Sequence, residues 1–297
     1  MMSVVMFTNL KGGVAKTTNA VAVAECLASR GHRTLMIDAD HQCTASELLL
    51  GETEMLRADK HRRTLHDLLK EMLDPEFNSA QLPTFVIEKA SNIGGGLETL
   101  SIIPCSIRID EFQTNYAKGK GGFKTNDEFL KMFGRNKNRL KSWLTRSFDY
   151  VIIDCPPSMA LQVQQLLAVT DAYIIPCQPN KLSYRGASWL RERIRRTGQK
   201  KVALGTLWSM VRGADRKHAE IIKAAKSKTG DFEYIPTGFK TQIPLTVSIS
   251  HATEESENMQ PSSFRTKYDP KFAKLYEELC DEIMQRLKEL DEFKGEK

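Results

Sequence analysis

The feature that most constrains the fold is a short stretch near the start of the chain, Asn9-Leu10-Lys11-Gly12-Gly13-Val14-Ala15-Lys16-Thr17-Thr18. An apolar run at 4–7 precedes it, and a run with helical periodicity at 20–28 follows it. This order predicts a strand, a tight loop containing glycine, and the N-terminus of a helix. Such an arrangement points backbone N–H groups and the positive end of a helix dipole at one place, which favours bound phosphate.

The loop departs from the ordinary phosphate-loop pattern, G-x-x-x-x-G-K-[ST], because Leu10 and Ala15 stand where that pattern has its two glycines. What remains is K-G-G-x-x-K-T, with a second lysine, Lys11, five residues before Lys16. We expect Lys16 to lie along the β- and γ-phosphates of a nucleotide and the Thr17 hydroxyl to ligate Mg²⁺. The alternative is a Gly-Gly turn between a strand and a helix that contains two lysines by chance.

The variant loop resembles the deviant phosphate loop (deviant Walker A) of the ParA/MinD group of ATPases. The resemblance implies ATP or ADP with Mg²⁺ as cofactors, bound by Lys11, Gly12, Gly13, Val14, Ala15, Lys16, Thr17 and Thr18. It also implies that Lys11 crosses to the γ-phosphate of a partner subunit, where a cation acts like an arginine finger. ATP would then favour a sandwich homodimer, and hydrolysis would release it.

Three aspartates follow two of the expected strands, at the end where open α/β sheets place ligands. Asp38 and Asp40 share one strand face by period two, and Asp154 follows the apolar run 150–153. Asp154 is expected to hold Mg²⁺ through water. By the resemblance, Asp40 orients the attacking water and Asp38 lies beside the Mg²⁺ shell. The family usually has proline where this chain has His41, so we expect a different local turn; simple strand-end capping is the alternative role for these carboxylates.

Apolar runs with β character alternate along the chain with stretches of helical periodicity. The apolar runs are 3–8, 33–38, 99–103, 149–154, 172–176, 201–208 and 232–235. The helical stretches are 17–29, 45–50, 64–73, 126–146, 160–169, 184–197, 215–227 and 263–290. This order predicts an α/β fold of the P-loop NTPase kind, a mainly parallel twisted sheet with helices on both faces.

We expect one ATPase domain over 1–297, because no linker, repeat or low-complexity segment divides the chain. The polar stretch 52–98 is expected to be a loop or an insertion. The tail 263–290 has an apolar stripe on an acidic helix, which predicts a C-terminal packing helix rather than a membrane-surface helix. A T-Q-I-P sequence echoes a family motif and places Ile243 and Pro244 near the adenine ring, with a plain strand and turn as the alternative.

The charge of the chain is uneven, although its formal net value is only +6. Residues 181–228 hold 14 Lys and Arg against three acids, and residues 118–146 hold nine against two. Such blocks indicate a polyanionic surface partner, most simply non-specific DNA, with solvated helix faces as the alternative. The candidate DNA contacts are Arg185, Arg212, Arg216 and Lys217.

The resulting hypothesis is an ATPase that partitions plasmid or chromosomal DNA, with Lys11, Lys16 and Asp40 as catalytic residues. A ParB-like or adaptor protein would stimulate hydrolysis and release the dimer from DNA. No apolar run of about 18 residues and no secretory leader is evident, so we expect a cytoplasmic, nucleoid-associated protein and a membrane partner is disfavoured.

Three other classes of protein share parts of this pattern. A positioner of a protein cargo or a membrane-associated site selector would use the same loop. An iron–sulfur ATPase needs suitably spaced cysteines, and the six cysteines here are scattered without a C-x-x-C pair. A non-catalytic DNA-binding module would explain the charge but not Lys16, Asp40 and Asp154.

Overall fold

The sheet has six strands in a computed structural model that describes residues 3–74, 76–112, 126–228, 232–233, 235–254 and 260–295. The strands are β1 (Ser3–Phe7), β2 (Thr34–Asp38), β3 (Leu100–Ile103), β4 (Tyr150–Asp154), β5 (Ala172–Cys177) and β6 (Val202–Trp208). Their order is β3-β2-β4-β1-β5-β6, and all neighbouring pairs in it are parallel. The predicted fold class is confirmed.

Helices connect the strands. They are α1 (Lys16–Ser29), α2 (Thr44–Lys60), α3 (Leu65–Glu71), α4 (Asn126–Ser147), α5 (Leu161–Val169), α6 (Lys181–Arg196), α7 (Arg216–Ser227), α8 (Val247–Glu254), α9 (Phe264–Tyr268) and α10 (Pro270–Gly295). Short 3-10 helices occupy Ser79–Phe85 and Ile93–Gly95. Within the described residues, no helix combines the length and the apolar character needed to cross a membrane.

The strands read as continuous apolar runs because helices cover both faces of the sheet. In β1, Val4 and Met6 pack into one core while Val5 and Phe7 pack into the other. The first core is closed by α3, α4, α5 and α6, and the second by α1 and α10. Each fully buried side chain of this size stabilises the fold by about 1.5–3 kcal/mol.

The predicted seventh strand, 232–235, is wrong at the residues that the structure describes. The chain makes a turn there, and further along Gly238 forms an isolated parallel bridge with Thr206 of β6. Pro236 has no N–H to donate to a ladder, which disfavours a strand at this place. Ile235 is buried in a small core of its own, so its apolar character reflects packing rather than strand pairing.

The stretch 52–98 contains more regular structure than its composition indicates. Helix α2 continues through a bend at Gly51, whose φ is +74°, and α3 follows it. Apolar side chains of α3 fill the first core. The prediction of a loop is therefore wrong for these helical residues, while the description of the stretch as an insertion stays a prediction.

The predicted tail helix is two helices, α9 and α10. They are separated at Asp269, which has a φ of +63° and precedes Pro270. Proline disfavours a helical residue before it and is well accepted in the first turn of a helix, so α10 begins there. Leu279 and Ile283 of α10 are buried in the core that α1 closes.

Candidate nucleotide-binding site

The loop between β1 and α1 has left-handed backbone at two residues, although neither glycine of the ordinary phosphate-loop pattern is present. Gly13 has a φ of +67° and Ala15, the residue before α1, has a φ of +59°. Alanine in this left-handed conformation costs about 1–2 kcal/mol. The strain is placed where the first N–H groups of α1 are free to face a ligand.

Lys16 is buried at the start of α1, and its ammonium reaches back across the loop. Its Nζ lies 3.3 Å from the carbonyl oxygen of Lys11, its only hydrogen-bond acceptor among the described residues. Burial lowers the pKa of Lys16, against the opposing effect of the nearby carboxylates of Asp154 and Asp40. An ammonium has three donors, so Lys16 can also bind anionic oxygens.

Thr17 and Asp154 meet on the other side of the loop. The Thr17 hydroxyl donates to Oδ2 of Asp154 at 2.6 Å. Asp154 is fully buried, and its Oδ1 has no hydrogen-bond partner within the described part of the chain. Burial, and then the neighbouring carboxylate of Asp38, raise the pKa of Asp154. An orphaned carboxylate oxygen beside a hydroxyl fits a hydrated Mg²⁺, which takes few protein ligands.

Asp38 lies beside Asp154 in the register of the sheet, but both of its oxygens are already used. Oδ1 accepts from the backbone N–H of Asp40 at 3.1 Å, and Oδ2 accepts from the N–H and hydroxyl of Ser46 at 2.8 and 2.6 Å. Burial raises the pKa of Asp38 to about 6. The contacts show Asp38 supporting the loop that carries Asp40; its place beside the Mg²⁺ shell stays a prediction.

Asp40 lies in the turn that follows β2. Its Oδ1 accepts from the backbone N–H of Gln42 at 3.1 Å and lies 3.4 Å from Nδ1 of His41. The turn then passes through Cys43 with a φ of +54°. Asp40 is brought to the same edge of the sheet as Lys16, and its role in orienting water stays a prediction.

Ile243 and Pro244 lie next to the phosphate loop. They border a cavity of about 250 Å³ whose other walls include Gly13, Ala15, Thr18, Asn19 and Tyr276. A mostly apolar cavity that adjoins the loop suits a planar base. The structure therefore brings both predicted residues to the site, and adenine remains their predicted ligand.

Three polar side chains that the sequence did not single out hold the loop in place. Asn9 accepts from the backbone N–H of Lys11 at 3.0 Å. Gln178 and Asn19 donate to carbonyl groups of the loop at 2.9 and 2.7 Å. The signal for Asn19 was an amide inside an alanine-rich apolar helix, which is uncommon without a hydrogen-bond partner.

Lys11 has an environment opposite to that of Lys16. Its side chain is exposed, and its ammonium has no hydrogen bond or ion pair among the residues with described positions. The predicted DNA contacts are exposed as well: Arg185, Arg212, Arg216 and Lys217. In the basic block 118–146, residues 118–125 lie outside the described residues.

Sequence comparison places the chain among known proteins. A family model described as an AAA domain matches residues 2–204. The sporulation initiation inhibitor protein Soj of Bacillus subtilis is 29% identical over 293 residues, which cover 95% of this chain and 98% of Soj. A ParA family protein of Mycoplasma pneumoniae is 28% identical over 287 residues, with coverages of 95% and 97%.

Solved structures share the fold. A plasmid partition protein from Borrelia burgdorferi bound to AMPPNP has a TM-score of 0.70 and 18% identity, covering 96% of this chain and 100% of its own. Cobyrinic acid a,c-diamide synthase from Mycobacterium smegmatis with bound ADP and magnesium has a TM-score of 0.66 and 22% identity, covering 97% and 96%. These two proteins have different functions by name, so the fold alone does not select one.

Proposed function

Since the chain belongs to the AAA-domain family as a ParA family partition ATPase, we propose that it hydrolyses ATP with Mg²⁺ to partition DNA. Its ATP-bound form is a sandwich dimer on non-specific DNA of the nucleoid, and a ParB-like or adaptor protein stimulates hydrolysis and release. The observation that carries the proposal is the joint placement of Lys16, Thr17 and Asp154 around the loop, with Lys11 exposed at its edge.

Each group at the site has a role in phosphoryl transfer to water, which depends on positioning and charge stabilisation. The loop N–H groups and Lys16 bind the phosphates. Thr17 and Asp154 would hold Mg²⁺, which neutralises charge on the phosphate oxygens when bound. Asp40 orients the attacking water, and the apolar cavity beside Ile243 binds the base.

Lys11 connects the nucleotide to dimerisation. Its main chain is fixed while its ammonium is exposed, so the charge is free to act outside its own subunit. A cation that reaches the γ-phosphate of a second subunit stabilises the dimer only while that phosphate is present. Hydrolysis therefore removes the group that Lys11 binds.

Dimerisation would also control DNA binding. Helices α6 and α7 carry exposed arginines and lysines, and a dimer presents two such faces. Non-specific affinity for DNA rises steeply with the number of phosphates contacted and falls with salt. The monomer is therefore expected to bind DNA much more weakly than the ATP dimer.

A gel shift on a non-specific duplex with ATP, ADP or no nucleotide tests the proposal. We expect a shift with ATP alone. Asp40→Ala should keep the ATP-dependent shift while phosphate release is lost, and the exposed control Glu88→Ala should match the wild type in both assays. Equal DNA binding in all three nucleotide states, or no phosphate release by the wild-type chain, contradicts the proposal.

A further inference from the structure

Helix α6 lies against the outer part of the phosphate loop, and its closest approach is at Gly186. A Cβ built there would lie 2.9 Å from Oδ1 of Asn9 and 3.5 Å from Cβ of Lys11. The first distance is shorter than side chains tolerate, and Gly186 does not have a positive φ. The missing side chain therefore serves close packing rather than a special backbone conformation.

Asn9 uses both ends of its buried amide at this contact. Its Nδ2 donates to the carbonyl oxygen of Pro176 at 2.7 Å, and its Oδ1 accepts from the N–H of Lys11 at 3.0 Å. The carbonyl oxygen of Lys11 accepts from Nζ of Lys16 at 3.3 Å. The main chain of Lys11 is thus held on both sides, while its side chain is exposed.

A second contact fixes the start of α6 to the same loop. Gln178 donates to the carbonyl oxygen of Gly13 at 2.9 Å and accepts from Nδ2 of Asn180 at 2.8 Å. Asn180 also caps α6, because its Oδ1 accepts from the N–H of Ser183 at 2.9 Å. The chain is therefore joined to the loop just before α6, through Gln178, and again within the helix at Gly186.

We propose that Gly186 and Asn9 are positioning residues for Lys11. Helix α6 packs on Asn9 through Gly186, and Asn9 fixes the direction in which Lys11 leaves the loop. This inference rests on the proposed role of Lys11 at the nucleotide of a second subunit.

Substitution of Gly186 tests the proposal in two backgrounds. Gly186→Ala should lower kcat for ATP hydrolysis about tenfold with little change in KM, because Lys11 is displaced while Lys16 stays in place. In the Lys11→Ala background the same substitution should lower kcat by less than about twofold, since Gly186 is proposed to act through Lys11. An equal loss in both backgrounds overturns the proposal.

A matched glycine controls for helix effects. A Cβ built at Gly134 of α4 meets no atom within 4 Å. Alanine is favoured over glycine inside helices, so Gly134→Ala should fold and keep wild-type kcat. Thermal unfolding by circular dichroism compares the folding of both variants.

Hydrogen exchange gives a readout that needs no turnover. In the nucleotide-free chain, Asn9→Ala removes the acceptor of the Lys11 amide and Gly186→Ala displaces it. Both variants should speed exchange at that amide by about fivefold or more, with the amides of α4 unchanged. Unchanged exchange in Gly186→Ala overturns the inference. A wild-type chain without ATPase activity would contradict the proposed function. The exchange rates would still show whether Gly186 and Asn9 hold the main chain of Lys11.

Discussion

Two fully buried carboxylates lie along α1: Asp154 of β4 contacts its N-terminal end, and Glu25 belongs to the helix itself. They differ in how many of their oxygens have hydrogen-bond partners. At the N-terminal end, Asp154 accepts from Thr17 through Oδ2, and its Oδ1 has no partner among the described residues. Further along, Glu25 accepts from the Lys267 ammonium at 2.8 Å and from two hydroxyl groups, using both oxygens.

This difference separates function from stability along one helix. A buried polar atom without a partner costs about 1–3 kcal/mol, so the free oxygen of Asp154 indicates a site that a ligand completes. Both oxygens of Glu25 have hydrogen-bond partners, and the residue joins α1 to α9. Substitutions near Lys16 should therefore change the chemistry, and substitutions around Glu25 should change stability.

The largest effect is expected for Lys16→Ala. If Lys16 binds the phosphates as proposed, loss of its buried ammonium should lower ATP turnover by about 10³-fold. Phosphate release measures this, and Lys70→Ala, at an exposed lysine of α3, is the control. Turnover within threefold of the wild type would show that Lys16 is only a buried structural cation.

Lys267→Met should act on stability alone. It leaves the Glu25 carboxylate buried with hydroxyl partners only, which is expected to cost about 3–5 kcal/mol of unfolding free energy. Urea denaturation measures the loss. Lys274→Met removes an exposed lysine of α10 that forms a 3.9 Å surface ion pair and should change stability little. A Lys267→Met variant with unchanged stability but impaired nucleotide binding would contradict the structural role given to Glu25 and Lys267.

Asp154→Asn and Glu25→Gln make the same chemical change at the two carboxylates. Asp154→Asn should raise the Mg²⁺ concentration for half-maximal ATP turnover by about 10–100-fold, because the carboxylate proposed to hold the metal loses its charge. Glu25→Gln should lower stability but leave the Mg²⁺ dependence of the folded protein unchanged. A common Mg²⁺ dependence in the two variants would mean that the open oxygen of Asp154 does not serve a metal.

The smallest effect concerns the strained residue at the start of α1. Ala15→Gly relieves a left-handed alanine and should raise the unfolding free energy by about 0.5–1 kcal/mol after the entropy cost of glycine is included. Ala219→Gly, inside α7, should instead lower it by about 1 kcal/mol. Thermal unfolding of both variants measures the two changes in unfolding free energy. A loss of stability in both would argue against strain at Ala15.

The sequence predicted the parts of this comparison that depend on local pattern. The strands and the phosphate loop follow from apolar runs and residue spacing within about ten positions, and Lys16, Thr17 and Asp154 were all predicted at one edge of the sheet. The partnership of Glu25 with Lys267 was not, because 242 positions separate the two residues and no local pattern relates them.

The same distinction between local pattern and long-range packing explains what the sequence predicted wrongly or did not predict. The run 232–235 has strand composition, but Pro236 and a separate small core determine its conformation. Gly186 lies inside α6, where glycine only weakens a helical prediction; its contact with Asn9 depends on how α6 packs after folding. Site residues were predictable where a motif holds them together, and the residues that position them were not.

The proposed switch depends on Lys11 acting on the nucleotide of a second subunit. Light scattering of the wild type and of Lys11→Ala, each with Mg²⁺ and a non-hydrolysable ATP analogue, tests it most directly. The wild type should double its mass from 33.6 kDa. Lys11→Ala should bind the analogue and remain a monomer. A Lys11→Ala dimer as stable as that of the wild type would contradict the claim.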